Sequence, residues 1–168
     1  MNIFYLHRDP RVAARYHNDK HVVKMILESA QMLSTAHREL DGDVDDIIYR
    51  STHKNLPSTK WARESYQNYM WLFDLFVALC EEYTHRYGKT HLTDTKLREV
   101  LRSAPRTIDR SRQFTQPPQC MPEGYKLEGN SIEAYRNYYM GEKSGFAKWS
   151  KRRKPLWWNM YGLSLIHI

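Results

Sequence analysis

The sequence predicts an all-α protein: a single compact helical domain of about four helices, with one long ordered loop and a basic, aromatic C-terminal segment. Three observations support this fold class. Apolar residues recur at helical spacing, helix start and stop signals bracket those stretches, and no segment has the period-two alternation of a β-strand. The 168 residues, 41% of them apolar, suffice for one domain with a core, which we expect at residues 1–162.

Local signals place the two longest helices. Asp9 can cap a helix and Pro10 suits its first position, so the first helix is expected at about 10–38. A proline in the first turn begins the second, which is expected at about 57–87. Gly88 then supplies the C-terminal stop.

The second half of the chain is less regular. A shorter helix is expected at about 93–103, and residues 105–130 hold clustered prolines that predict an ordered loop. Asn130 and Glu133 stand at capping-box spacing and predict a fourth helix start. The final LSLIHI, residues 163–168, has no helical phase with what precedes it, and we expect a non-native tail from a metagenomic source.

Positive charge is concentrated near the C-terminus. The formal net charge is +7, and KSGFAKWSKRRK at 143–154 has six cations and no acid, with tryptophans inside and beside it. Cations neutralise phosphates and flat rings stack on bases, so this composition predicts a nucleic-acid partner. A solvated basic tail is the alternative.

Other function classes are disfavoured. No apolar run is long enough for a membrane span, and the first residues do not resemble a secretory signal, so we expect a cytoplasmic protein. Cys80 and Cys120 are the only cysteines and are expected to be reduced. No cofactor motif is present, and none is expected.

The stretch HNDKHVVKMILESAQ, residues 17–31, assigns faces to the first helix. At 100° per residue one side is predicted to face the core. It consists of Val12, Tyr16, Val23, Ile26, Leu27, Ala30 and Leu33. The opposite side is a polar row, formed by His17, Lys20, His21, Lys24, Glu28, Gln31 and Thr35. A solvated face rarely uses two histidines, so we interpret this row as the border of a cleft.

Several chemistries fit the polar row. His17 and His21 have the spacing of a helical metal site, but the neighbouring lysines oppose a cation, and no metal is expected. The cluster better suits a phosphate or an oxyanion. An unprotonated Lys24 amine can attack a sugar C1′, and Glu28 beside it can move protons or stabilise an oxocarbenium ion. A plain ion pair between these two residues is the alternative.

Four segments resemble a family of small phage proteins of the cyanophage type: MNIFYLHRDP, HNDKHVVKMILESAQMLSTAH, THKNLPSTKWARESYQNYMWL, and YRNYYMGEK with the following FAKW. The likeness spans most of the chain and implies a phage-infected bacterial host. More distantly, the charged first helix and the layout of HKNLP…EEYTHRYGK resemble the pyrimidine-dimer DNA glycosylases of the phage endonuclease V type.

The resemblance implies an all-α fold and a catalytic glutamate on the first helix, for which Glu28 is the expected match. His17, His21 and Lys24 would then surround the scissile nucleotide. That family uses as nucleophile the amine exposed when the initiator methionine is removed, whereas Asn2 here is bulky enough to prevent removal. Either Met1 supplies the amine, or Lys24 replaces it, or the reaction is not a lyase reaction.

Three functions follow. The first is an N-glycosylase, with or without lyase activity, on damaged or modified pyrimidines in double-stranded DNA, with the target base flipped out. The second is a transferase that hypermodifies phage DNA pyrimidines, and the third is a non-enzymatic DNA-binding protein. The expected catalytic residues are Glu28, Lys24, His21 and His17. The expected nucleic-acid-binding residues are Lys20, Gln31, His53, Lys54, Asn55, Lys60, Arg63, Arg136, Lys148, Trp149, Lys151, Arg152 and Arg153.

Overall fold

The computed structural model describes residues 1–158, and within them every regular element is helical. The α-helices are α1 (Pro10–Tyr16), α2 (Asp19–Asp41), α3 (Pro57–Glu64), α4 (Tyr66–Tyr87), α5 (Leu92–Leu101) and α6 (Ser131–Glu142), and a short 3-10 helix spans Glu123–Tyr125. The all-α prediction is confirmed. The count is higher than the expected four because each of the two long predicted helices is broken once. The expected tail at 163–168 lies outside the described residues.

The first break separates α1 from α2 at His17 and Asn18. Both residues have extended backbone, and the Asn18 side chain accepts a hydrogen bond from the backbone N–H of His21 at 2.9 Å. An asparagine that caps a new helix in this way satisfies one of the amides that every helix start leaves unpaired. The break turns α2 relative to α1, and it therefore changes which residues of α2 face the core.

The second break, at Ser65, has a partner far along the chain. Ser65 is extended and its hydroxyl accepts from the backbone N–H of Asn68, while the N–H of Tyr66 donates to the carbonyl of Asp109 at 2.8 Å. Tertiary pairing thus replaces the helical bond that is lost. The other expected ends are confirmed: Asp9 caps α1, and Gly88 ends α4 in the left-handed region at φ 69°.

Helix α4 lies at the centre of the molecule, and α1, α2, α3 and α5 pack against it. Its buried side chains include Tyr69, Leu72 and Phe76, which join the N-terminal segment and α2 in one hydrophobic core. No helix among the described residues has the length and apolar character that a membrane span requires.

The long segment between α5 and α6 is ordered by hydrogen bonds from buried groups, as expected. Trp61 donates its ring N–H to the carbonyl of Thr115 at 3.1 Å, and Asn68 accepts from the Thr115 backbone N–H at 3.0 Å. Tyr135 donates its hydroxyl to the carbonyl of Pro118. These bonds hold the loop against α3, α4 and α6.

Candidate nucleic-acid interface

One face of α2 is open to solvent and carries both charged and apolar side chains. It is formed by Lys20, Val23, Lys24, Leu27, Glu28 and Gln31, and is called the α2 face below. Lys20 and Lys24 are exposed, whereas Glu28 lies at the edge with 17% of its side chain accessible. The Lys24 ammonium nitrogen is 3.6 Å from a Glu28 carboxylate oxygen. Lys20, Lys24, Glu28 and Gln31 of the polar row therefore share one accessible side of α2, whereas Thr35, the last expected member, is fully buried.

The predicted core face is wrong at two positions. Val23 and Leu27 are 39% and 42% exposed, although the periodicity assigned both to the interior. The buried stripe is instead centred on residues such as Val22, Met25 and Ile26. Helix α2 begins at its own cap, Asn18, and packs against α3, α4 and α5. The side that it buries therefore differs from the side expected for one continuous helix.

The expected position of the two histidines on the open polar row is also wrong. His17 is fully buried and donates its Nδ1 hydrogen to the carbonyl of Ala13 at 2.6 Å. His21 is 3% exposed; its ring stacks on Phe4 with centroids 4.2 Å apart, and its Nδ1 lies 2.7 Å from the Tyr139 hydroxyl oxygen. The N-terminal segment and α6 cover this side of α2.

Burial also keeps both histidines uncharged. It lowers the pKa of His17 to about 4. Burial lowers the pKa of His21 to about 2, and the charges of Lys143, Lys24 and Lys20, with that of His17 when it is protonated, act in the same direction. Neutral, enclosed imidazoles do not act as the cationic phosphate contacts that the sequence predicted. They are placed instead to support α2 from behind.

An aromatic and basic segment continues the α2 face at its N-terminal end. The Lys20 ammonium lies over the ring of Phe146, 4.7 Å from its centroid. The Lys143 ammonium lies over Tyr138 at 4.9 Å. The backbone N–H of Asp19 donates to the carbonyl of Lys148 at 2.7 Å, which fixes the segment beside the start of α2. Cations and an exposed ring thus occur side by side, as a nucleic-acid surface requires.

Two of the predicted nucleic-acid contacts in the C-terminal segment face inward instead. Trp149 is buried and donates its ring N–H to the carbonyl of Tyr16 at 2.8 Å, so its ring is not free to stack on a base. Arg152 makes a bidentate contact with the Glu82 carboxylate at 2.7–2.9 Å. Lys148, Lys151 and Arg153 are exposed, and they retain the charge that the composition indicated.

The anchor of this segment is a set of acidic residues that the sequence interpretation did not identify. Asp19 accepts from Ser150 and from Arg86, whose guanidinium also contacts Glu82 at 3.4 Å. Burial raises the pKa of the Asp19 and Glu82 carboxyls, but hydrogen bonds from Ser150 to Asp19 and from Arg152 to Glu82, with the charge of Arg86, bring both below their usual range. The spacing of Glu82 and Arg86, four residues apart, is the one signal that hinted at a pair.

The loop before α3 lies near the other end of the exposed part of α2. Thr35 of α2 accepts from the backbone N–H of Thr52 at 3.1 Å, which brings the exposed His53, Lys54 and Asn55 alongside. His53 has a left-handed backbone, with φ 49°. The guanidinium of Arg63 donates to the Lys54 carbonyl at 2.7 Å. Arg63, which was predicted to contact DNA, therefore holds the loop in place.

Two other predicted contacts border a cavity next to this loop. Asn55 and Lys60 line a space of about 520 Å³ together with Trp61 and Glu64. Arg136 lies elsewhere: it donates to the carbonyl of Leu6 at 3.0 Å, and its guanidinium lies over the rings of Tyr16 and Trp157. Arg136 therefore ties the N-terminal segment to α6.

The accessible candidate residues in the first half of the chain thus lie on α2, on the loop before α3 and at the start of α3. The model of a family described as pyrimidine dimer DNA glycosylase matches residues 1–95, which is more than half of the chain. The chain belongs to the pyrimidine dimer DNA glycosylase family. This confirms the distant likeness that the charged first helix indicated, and it makes DNA the substrate class of the family.

The matched part of this glycosylase-family chain includes α1 to α4 and the start of α5. It therefore contains the whole α2 face, the buried histidines and the loop at His53–Asn55. Helix α6 and the basic segment that follows it lie beyond the match. No curated protein and no solved structure matches the chain.

Proposed function

We propose that this protein is an N-glycosylase that removes a damaged or modified pyrimidine from double-stranded DNA, with the α2 face as its reaction surface. Membership in the glycosylase family supports the reaction class. Exposed lysines on α2 and on the adjoining segment support a polyanionic partner, because each ammonium that meets a phosphate releases a counterion.

The observation that carries the proposal is the position of Glu28. It is the one carboxylate in the sequence between Lys20 and Gln31, and it lies at the border between the open face and the enclosed side of α2. A carboxylate in that position can stabilise the positive charge that develops on the sugar as the base leaves. It can equally take a proton from the attacking group.

Two amines compete for the role of nucleophile. Lys24 is already in contact with Glu28, at 3.6 Å. The N-terminal amine is the other, because the N-terminal segment contacts both helices. The ring centroids of His7 and of Tyr16 on α1 are 6.0 Å apart, and Phe4 stacks on His21 of α2.

Met1 precedes Phe4 by three residues, which span on the order of 10 Å. Glu28 follows His21 by seven residues, about 10 Å along the helix axis. The two spans are equal, so the segment from Phe4 to Met1 is long enough for the N-terminal amine to reach Glu28. Either amine would form a bond to C1′ as the base leaves, and the resulting imine is the species that borohydride reduces.

The decisive experiment measures the intact mass of short duplexes after incubation with the protein. The panel contains plain, UV-irradiated, 5-hydroxymethyluracil and 5-hydroxymethylcytosine DNA, each with and without borohydride. We expect loss of one base from a hydroxymethylpyrimidine duplex, or a gain of one water or strand cleavage on the UV-irradiated duplex, where the cyclobutane ring keeps the excised base attached to its neighbour. A trapped adduct, digested and mapped to the peptide of Met1 or of Lys24, would identify the nucleophile.

Glu28→Gln is the matching variant, and Glu99→Gln on α5 is its control. We expect Glu28→Gln to lower the single-turnover rate by about 10²–10⁴-fold while DNA binding persists. Glu99→Gln should react normally. A mass gain other than that of one water would instead indicate a base-modifying transferase, and binding without any change in mass would indicate a DNA-binding protein; either result refutes the glycosylase proposal.

A further inference from the structure

Two apolar side chains stand exposed among the lysines of α2. Val23 and Leu27 are 39% and 42% accessible and are separated by four residues, so they form one ridge on the helix surface. The core of α2 is complete without them, because Val22 and Ile26 are fully buried. Nothing in the packing of the described residues accounts for a leucine at this position.

The charge around this ridge indicates what covers it. Lys20 and Lys24 are exposed within one turn of Val23, and Phe146 is exposed beside Lys20. A partner that suits this surface offers negative charge at its margin and apolar, planar surface inside. Duplex DNA has that arrangement, with phosphates outside and stacked bases within.

We propose that Leu27, with Val23 behind it, is a wedge that enters between adjacent base pairs and unstacks them. The proposal rests on the glycosylase function proposed above and states how this surface reaches a base inside a duplex. Apolar side chains inserted at a base step are a known means of kinking DNA. Leu27 and Glu28 are consecutive, about 100° apart around α2, so the opened step would lie directly beside the carboxylate.

A wedge has a consequence that a simple contact does not have. Its contribution is the unstacking of paired bases, so it matters on a fully paired duplex and little on DNA whose stack is already interrupted. Lysine contacts to phosphates, in contrast, strengthen binding to both kinds of duplex alike. The two contributions are therefore separable by the choice of DNA.

The test uses the full chain with duplexes that carry 2-aminopurine, a base whose fluorescence rises when it unstacks. One duplex is fully paired. The second, called the gapped duplex, lacks one base next to the 2-aminopurine. The variants are Leu27→Ala, Leu27→Met as a conservative replacement, and Leu92→Ala as a control. Leu92 is 68% exposed at the start of α5, so its truncation tests the loss of an exposed leucine elsewhere.

We expect binding of the unmodified protein to raise the fluorescence of the paired duplex, and Leu27→Ala to abolish most of that rise. Its affinity should fall about tenfold on paired DNA and less than about threefold on gapped DNA. Leu27→Met and Leu92→Ala should behave like the unmodified protein.

The outcomes separate this proposal from the glycosylase function. Equal losses on both duplexes, or an unchanged fluorescence rise in Leu27→Ala, overturn the wedge even where base release is normal. A Leu27-dependent rise without base release supports the wedge and refutes the glycosylase. Leu27-dependent binding to vesicles of anionic phospholipid, with no Leu27 effect on DNA, would overturn the wedge and assign the ridge to a membrane surface.

Discussion

The Nδ1 atom of His21 lies 2.7 Å from the hydroxyl oxygen of Tyr139, a contact that joins α2 to α6 across 118 positions of sequence. The same oxygen accepts a hydrogen bond from the backbone N–H of Asn18 at 3.1 Å. The contact with His21 can be donated by the hydroxyl or by Nδ1, according to the tautomer of the imidazole. One hydroxyl thus connects the cap of α2 to the histidine behind the α2 face.

Tyr139→Phe should therefore destabilise the fold. The change removes the oxygen and leaves the Asn18 amide and His21 Nδ1 buried without a partner. We expect a loss of about 1–3 kcal/mol in the free energy of unfolding, measured by urea denaturation. Tyr138→Phe is the control, because the Tyr138 hydroxyl makes no hydrogen bond among the described residues, and it should change stability by less than about 0.5 kcal/mol.

The buried histidines should make stability depend on pH between about 6.5 and 4. Their pKa values are lowered from 6.5 to about 4 for His17 and about 2 for His21, so the unfolded chain binds protons that the folded protein does not. Their contribution is present above pH 6.5 and is lost as the pH falls. By pH 5 the loss should reach about 2 kcal/mol per histidine.

Urea midpoints at pH 7, 6 and 5 measure this slope. His21→Gln should make the slope smaller, because this ring no longer titrates; His7, His37 and His91, whose pKa values burial also lowers, keep their share. His53→Gln changes an exposed histidine and should leave the slope as it is. A stability curve that is flat from pH 7 to 5 would contradict the burial of these rings.

Sequence signals identified those features that depend on neighbouring residues. Asp9 and Gly88 were recognised as helix ends because caps and left-handed stops are local. The break at Ser65 was missed because the amide of Tyr66 is paired with Asp109, more than forty residues away. No periodicity contains that information.

The same limit applies to the candidate site. Helical spacing placed Lys20, Lys24 and Glu28 together correctly, but it did not reveal which side of α2 the N-terminal segment and α6 would cover. His21 was taken for a surface residue for this reason. Likewise, the composition of the C-terminal segment counted Arg152 as free charge, whereas the acid that engages it lies on α4. Which charges are neutralised depends on tertiary contacts.

Glu82→Gln should weaken the attachment of the C-terminal segment. The change leaves Arg86, whose side chain is fully buried, and Arg152 with less negative charge to meet. Removal of one partner from a buried ion pair costs about 3 kcal/mol, to be measured as the change in unfolding free energy at pH 7. Glu99→Gln alters an exposed pair with Arg102 and should leave the urea midpoint unchanged.

The difference between unmodified protein and Glu82→Gln should shrink in acid. The Glu82 pKa lies below its usual value of 4.5 in the folded state, so its stabilisation is present above that pH and is lost as the pH falls further. Equal differences at pH 7 and pH 3 would show that the carboxylate charge has no part in the anchor.

Lys20→Gln should lower the salt dependence of DNA binding. The lysine is exposed at the start of the α2 face and adjoins Phe146, so a phosphate on this surface would meet its ammonium. Each lost phosphate contact reduces the slope of log K against log salt concentration by about 1 and weakens binding to all sequences alike. Fluorescence anisotropy at several salt concentrations measures both quantities.

Two comparison variants locate the contact. Lys96→Gln removes an exposed lysine of α5, away from the α2 face, and should leave the slope unchanged. Arg152→Gln should lower stability without changing the slope, because its guanidinium is engaged by Glu82. A larger slope change in Arg152→Gln than in Lys20→Gln would place the DNA on the C-terminal segment instead, with α2 outside the contact.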